Sequence, residues 1–445
     1  MIINSEKYLK ELFNLLSIPS ISAQSGHKKD MEKACLWLQK KFISLGFKSE
    51  ILPTKGHPVV YSELITDHKS PTTVLLYGHY DVQDPGNLDE WTSEPFKPEV
   101  RSGNIYARGA NDNKGQHMTW ISALEEIGKS KNKLPINIKF ILEGEEEIGS
   151  KNLEEFCNEN KSLLKSDICI VSDTDSISED QPVITYGLRG IIYLEINIKT
   201  LPKDVHSGTY GGNISNPLNI LTNLLSSLKD EGNKILIPNF YDNIRKVSTK
   251  ELKQINNYPF GSNEIKRETG AKQVVGEKGF TVQERSGIRP SLDINGIWGG
   301  YQGEGAKTII PSEAWAKVSM RIVPYQDPNK IIEATEKYLK KQLPKGAEIK
   351  IMTLAADSAV LMDTNSKYFR LAEKAYKKVF GKVPFYHLHG ATVPVGGIVK
   401  RVLGIDTIYM GYGLPDDGLH GPNEKFSLSM FEKGIRTNID FLKSI

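Results

Sequence analysis

Apolar residues recur at helical spacing in residues 5–16, where Leu9, Leu12, Phe13 and Leu16 form one stripe that Pro19 ends. Residues 29–45 carry a second stripe that stops at Gly46. The period then changes. Val59–Ile65 and Thr72–Tyr77 read as strands, Lys114–Gly128 as a helix, Ile136–Leu142 as a strand, Asn152–Leu164 as a helix and Asp167–Val171 as a strand. Continuous apolar strands alternating with helices predict an α/β fold whose mostly parallel sheet is covered on both faces. After Gly190 the pattern differs. Ile191–Thr200 is an alternating strand, Pro217–Leu228 a helix, and residues 230–290 are polar and irregular. Ala314–Val323 is a strand, Pro328–Gln342 a helix and Glu348–Leu354 a strand. This predicts a smaller α+β domain inserted into the first. The α/β pattern resumes with a helix at Lys367–Phe380 and a strand at Thr407–Tyr412.

Composition narrows the class. The chain has 445 residues, 39% hydrophobic and 25% charged, which is globular usage and excludes a disordered or collagen-like protein. With 57 basic and 54 acidic residues, a net charge of +3 makes no case for a nucleic-acid partner. No apolar run approaches the roughly 18 residues that would cross a bilayer, so no membrane partner is expected. Residues Met1 to Lys10 lack a basic region followed by an apolar one, so no secretory signal is expected either. Cys35, Cys157 and Cys169 suit neither a disulfide framework nor a cysteine-only zinc site, and point to a reducing, cytoplasmic setting.

Open α/β sheets bind ligands at the carboxyl ends of their strands, so the residues that follow each apolar run matter most. Thr73–Tyr77 is followed by Gly78-His79-Tyr80-Asp81, and Ile105-Tyr106 by Arg108-Gly109-Ala110-Asn111-Asp112-Asn113-Lys114-Gly115. Ile138–Leu142 leads to Glu143-Gly144-Glu145-Glu146-Glu147, and Ile168–Val171 to Ser172-Asp173. Ile408–Tyr412 leads to a Gly-rich loop with Asp416, Asp417 and His420. Singly, each has an ordinary structural explanation. His79 and Asp81 could be a hydrogen-bonded pair, the glutamates a solvated face, and Asp112 or Asp173 a helix cap. Together they are harder to dismiss, because converging carboxylates repel unless something positive sits among them. Two His and several carboxylates are a ligand set for zinc or manganese, and the surplus of acids suggests two ions sharing a bridge.

Leu75–Gln83, Trp91, Pro95-Phe96 and Tyr106–Gln116 resemble the dinuclear metallopeptidase family that includes cytosolic nonspecific dipeptidase and carnosinase. Aminoacylase, succinyl-diaminopimelate desuccinylase and glutamate carboxypeptidase are more distant cousins. The resemblance continues through Glu143–Ser150, Tyr186–Gly190, His206-Ser207-Gly208, Gly305–Thr308, Met320–Pro324 and Asp416–Glu424. It implies a zinc-peptidase catalytic domain over residues 1–188 and 357–445, with a ferredoxin-like lid and dimerisation domain inserted over 189–356. It also implies two divalent ions per subunit, zinc or else manganese or cobalt. His79 and Asp173 would hold one ion, Glu147 and His420 the other, and Asp112 would bridge them ahead of a cis peptide to Asn113. A water between the ions would lose a proton and attack the scissile bond of a dipeptide or short peptide, with Glu146 as general base. Asp81 would fix the tautomer of His79. His206 would reach the active site of the partner subunit in a homodimer and steady the oxyanion. Arg321 would clamp the substrate carboxylate, with Thr308, Thr392 and His420 as further contacts.

The sequence departs from that family in one loop. Where Arg-Glu-Gly-Gly-Ser is usual, this chain has Leu388-His389-Gly390-Ala391-Thr392, which puts side-chain preference in question. His387 and His389 read as loop bystanders, and His117 as packing or surface. Asn113 replaces a common aspartate. The competing enzyme reading is an amidohydrolase of N-acyl-amino acids, of deacylase or desuccinylase type; the long segment 230–290 favours the dipeptidase branch. A serine or cysteine hydrolase lacks its Gly-X-Ser-X-Gly elbow, and the Walker spacing for phosphate is absent.

Overall fold

A computed structural model describes residues 5–66, 71–129 and 134–445. The chain forms two compact units, one of Met1–Tyr186, Met362–His387 and Val393–Ile445, the other of Gly187–Leu361 and Leu388–Thr392.

The first unit is built on a mixed sheet whose middle strands are parallel. Asn137–Glu143, Thr73–His79, Ile168–Val171 and Thr407–Tyr409 lie side by side in that order, so their carboxyl ends share one edge. Each is buried almost end to end, as continuous apolar runs require. Lys48–Leu52 and Val59–Leu64 extend the sheet with antiparallel pairing. The helix Ser5–Leu16 buries Tyr8, Leu12, Leu15 and Leu16, which recur every three or four residues. Lys114–Gly128 is buried around nearly its whole circumference, as befits a helix covered by a second one, and Trp120 meets Phe441 of Leu428–Ser444 edge-on. Lys114 is fully buried too, and its ammonium donates to the carbonyls of Leu15 at 3.2 Å and Ile18 at 2.7 Å.

The second unit is ferredoxin-like. Chain order is strand–helix–strand–strand–helix–strand, and the antiparallel sheet runs Ser291–Gly299, Glu313–Ile322, Gly190–Lys199, Glu348–Asp357. Alternate strand residues such as Ile192, Leu194, Val318 and Met320 pack with Leu221, Leu224 and Leu339 of the helices Pro217–Ser226 and Pro328–Gln342. Both helices open with Pro after a capping residue: Asn216 accepts from Leu218 N–H, and Asp327 from Asn329 N–H.

Several element expectations need correction. Segment 230–290 holds three short helices, Thr249–Asn256, Ser262–Thr269 and Val282–Gly287. Ser291–Gly299 is a fourth lid strand, and Asn152–Leu164 is broken at Asn160 into two helices. His387 and His389 lie in a strand, Phe385–His389. His117 is fully buried, the packing alternative of its reading.

Candidate metal centre

The parallel strands deliver their ligands to one edge. His79 ends its strand, Glu146 and Glu147 begin a single helical turn after Glu143, and Asp173 follows Val171 by two residues. Asp112 precedes the helix at Lys114 and is joined to Asn113 by a cis peptide. His420 stands in the loop after Thr407–Tyr409 at φ 61°, a left-handed conformation that a histidine adopts only when its surroundings hold it there.

These side chains form two trios that share one residue. Ligand atoms of His79, Asp112 and Asp173 lie within 4.8 Å of one another, and so do those of Asp112, Glu147 and His420. Asp112 faces both: Oδ1 is 3.0 Å from His79 Nε2, and Oδ2 is 3.0 Å from His420 Nε2. Asp173 Oδ2 is 3.9 Å from His79 Nε2, and Glu147 Oε2 is 3.3 Å from His420 Nε2. A model of peptidase family M20/M25/M40 matches residues 75–444. The chain belongs to that family.

Relatives of this M20 peptidase match it over most of its length. It is 30% identical to the Cys-Gly metallodipeptidase of Candida albicans, over 97% of this chain and 93% of that protein. Identity to the human Beta-Ala-His dipeptidase is 32%, over 85% of this chain and 76% of that protein. Among solved structures, an M20 family metallo-carboxypeptidase of Sulfolobus solfataricus superposes with a TM-score of 0.89 at 34% identity, covering 98% of both chains.

The donor chemistry of the M20 site fits divalent cations. Burial raises the pKa of Asp173 to about 7, with the Asp112 charge adding to the effect. Burial and Asp112 likewise raise Glu147. Burial opposes a charge on Asp112, yet hydrogen bonds from His420 and His79 outweigh it and hold its pKa low. Hydrogen bonds to Asp112 and Glu147 raise His420 to about 10. Burial works against the imidazolium of His79 too, but Asp112, Asp81 and Asp173 lift it well above the usual range. Acids that crowd a buried space and pull both imidazoles upward mark a pocket of excess negative charge. Imidazole nitrogen and carboxylate oxygen are also donors that first-row divalent metals accept.

Supporting contacts fix these side chains. His79 Nδ1 is 3.1 Å from the carbonyl oxygen of Asp81, which can only accept; Nδ1 therefore carries the proton and Nε2 is left to ligate. Asp81 Oδ1 lies 3.3 Å from the same nitrogen, while Oδ2 accepts from Glu147 N–H at 3.1 Å, so one side chain touches both trios. Asn113 Nδ2 donates to Asp173 Oδ1 at 2.8 Å, and Gln83 Nε2 to Glu147 Oε2 at 2.9 Å. The sequence reading assigned no such task to Asn113 or Gln83; neither residue has a spacing that announces it. Glu146 stands apart. Burial, then the charges of Asp173, Asp112 and Glu147, push its pKa well up against the opposing pull of His79, and its carboxylate has no hydrogen-bond partner among the described residues.

In the second unit Thr308 meets the residue after His206, and Arg321 pairs with Thr392. Exposed His206 caps a short helix, its Nδ1 accepting from Gly208 N–H at 3.0 Å, and Ser207 N–H donates to the Thr308 carbonyl at 3.0 Å. With Nδ1 an acceptor, His206 presents Nε2–H outward. Arg321 Nη1 donates to Thr392 Oγ1 at 2.6 Å, and that hydroxyl donates to the Arg189 carbonyl at 2.7 Å.

Proposed function

We propose that this M20 peptidase is a two-metal dipeptidase. One observation carries the reading: Asp112 turns one oxygen to each of two His–carboxylate sets, beside a half-buried glutamate whose carboxylate has no hydrogen-bond partner among the described residues. His79 and Asp173 would hold one ion, Glu147 and His420 the other, and Asp112 both. The ions would supply Lewis acidity, which polarises a scissile carbonyl and brings the pKa of water toward neutrality. Glu146 takes a proton from the attacking water and passes it to the leaving amine. Asp81 keeps the His79 ring in its ligating tautomer. Arg321 grips the substrate's free carboxylate with the N–H groups that Thr392 leaves over, a task suited to a planar fork. Thr308 and Thr392 add substrate contacts. His206 offers Nε2–H to the oxyanion in the partner subunit of a homodimer formed through the ferredoxin-like lid. Zinc is the proposed metal, with manganese and cobalt suited to the same donors. The three cysteines are free and buried, which supports a cytoplasmic setting. No described helix is long and apolar enough to cross a membrane.

The test is to strip the metals, reconstitute with zinc, manganese or cobalt, and offer dipeptides beside N-acyl amino acids. Dipeptide turnover that returns with metal supports the reading. Hydrolysis of N-acyl amino acids alone would give the site to a deacylase, and undiminished turnover without metal would end the two-metal mechanism.

A further inference from the structure

Glu424 closes the loop that carries His420 and is fully buried. Its carboxylate accepts four hydrogen bonds. Oε1 takes the backbone N–H groups of Asn111 and Asp112, both at 3.0 Å. Oε2 takes Gly109 N–H at 2.9 Å and Arg108 Nη1 at 2.7 Å. Arg108 is 1% exposed, and its second terminal nitrogen donates to the carbonyls of Gly421 at 3.0 Å and Asp84 at 3.3 Å. This ion pair therefore holds five backbone groups, two of them beside or at Asp112, a third at Gly109, and one next to His420.

Another cluster of opposite charges in this unit behaves differently. Lys41 donates to Glu11 and Glu125, each at 2.6 Å, and so joins side chains only. Replacing a buried ion pair with apolar residues is often neutral for stability, so stability alone is a weak account of Arg108 and Glu424. What the pair does that apolar packing could not is aim backbone. A carboxylate that must serve two cations tolerates misplacement of only about 0.5 Å, and its direction is set by its own backbone. Glu424 grips that backbone from behind at Asn111 and Asp112. Arg108 reaches from the same carboxylate to the peptide adjoining His420.

We propose that the Arg108–Glu424 pair positions the metal ligands: Glu424 orients Asp112 for both ions, while Arg108, through Gly421, orients His420 for one. This rests on the reading of Asp112 as the shared ligand.

Two variants separate the roles. Glu424→Gln is nearly isosteric, but its amide must turn N–H groups toward either the Asn111 and Asp112 amides or Arg108. Arg108→Lys keeps a cation beside Glu424, but a single ammonium cannot span both Glu424 and Gly421. The full-length proteins are stripped, loaded with Mn2+, and measured by metal stoichiometry, chelator competition and electron paramagnetic resonance. Melting of the metal-free proteins checks the fold. Glu424→Gln is expected to weaken both ions by about 10–100-fold, the range found when a ligand's supporting partner is lost. Arg108→Lys is expected to weaken one, replacing the exchange-coupled signal of paired manganese with that of an isolated ion. Folded variants that bind two ions with wild-type affinity and spectrum would overturn the proposal. If either variant does not fold, hydrogen exchange on metal-free wild-type protein decides. Amides of Gly109, Asn111 and Asp112 that exchange as slowly as those of Thr73–His79 support it; exchange at loop rates overturns it. A wild-type protein that binds no second ion overturns the two-metal reading as well, so the two failures are distinct.

Discussion

His79 and His420 in the first unit and His389 in the second experience opposite fields. In the first, carboxylates around His79 and His420 draw both imidazoles toward the charged form. In the second, burial pushes His389 down to about 4, and the charges of Arg189 and Arg321 push the same way. Arg189 is itself lowered to about 10 by burial and by Arg321, and gives its N–H groups to the Gly390 and Arg285 carbonyls and the Ser291 hydroxyl. One region holds more negative charge than its own residues neutralise; the other holds more positive charge. A buried excess of either sign is costly unless a ligand of opposite charge completes it. The acidic region thus suits cations, and the arginine region suits a carboxylate, the charge every dipeptide carries at its C-terminal end.

The sharpest way to break this contrast is at Glu146. Glu146→Gln should lower kcat by about 10²–10⁴-fold, the usual contribution of a general base, while elemental analysis still finds the ions. Full turnover in that variant would remove Glu146 from the mechanism. Next, Asp112→Ala should lose both ions and Asp173→Ala only one, since Asp112 alone belongs to both trios; equal losses would contradict a shared ligand. In the arginine region, Arg321→Met should cost about 2 kcal/mol in kcat/KM, a ~30-fold loss carried by KM. Thr392→Val should raise KM a few-fold, with rescue by Thr392→Ser, because only the hydroxyl meets Arg321. The smallest effect concerns pH. The unfolded chain protonates His389 near 6.5 and the folded chain near 4, so stability is full above about 6.5 and falls as pH drops toward 4. His389→Gln should flatten that limb in urea unfolding at pH 7 and 5.

Much of this was legible because strands that must be buried on both faces leave an unbroken apolar run, and the first ionisable residue after it is conspicuous. His79 and Asp173 stand out for that reason. Ser291–Gly299 did not, because Asn295-Gly296 reads as a turn; the strand keeps its pairing there through a bulge between Ile294 and Gly296. The three helices of 230–290 are too short for a stripe, although Thr281 and Glu284 form a capping box, each side chain bonding the other's N–H. Arg108 and Glu424 were visible as charges in Gly-rich loops, but they meet across 316 positions, and no local period encodes that contact.

The buried ammonium of Lys114 ties the end of the first helix to a residue two positions beyond Asp112. Trimming the chain past Ile18 would strip that amine of its oxygen acceptors in a place water does not reach. Engineers who shorten or fuse this terminus should therefore leave the first helix and its following turn intact. Otherwise a change made at the periphery would register at the loop that carries Asp112.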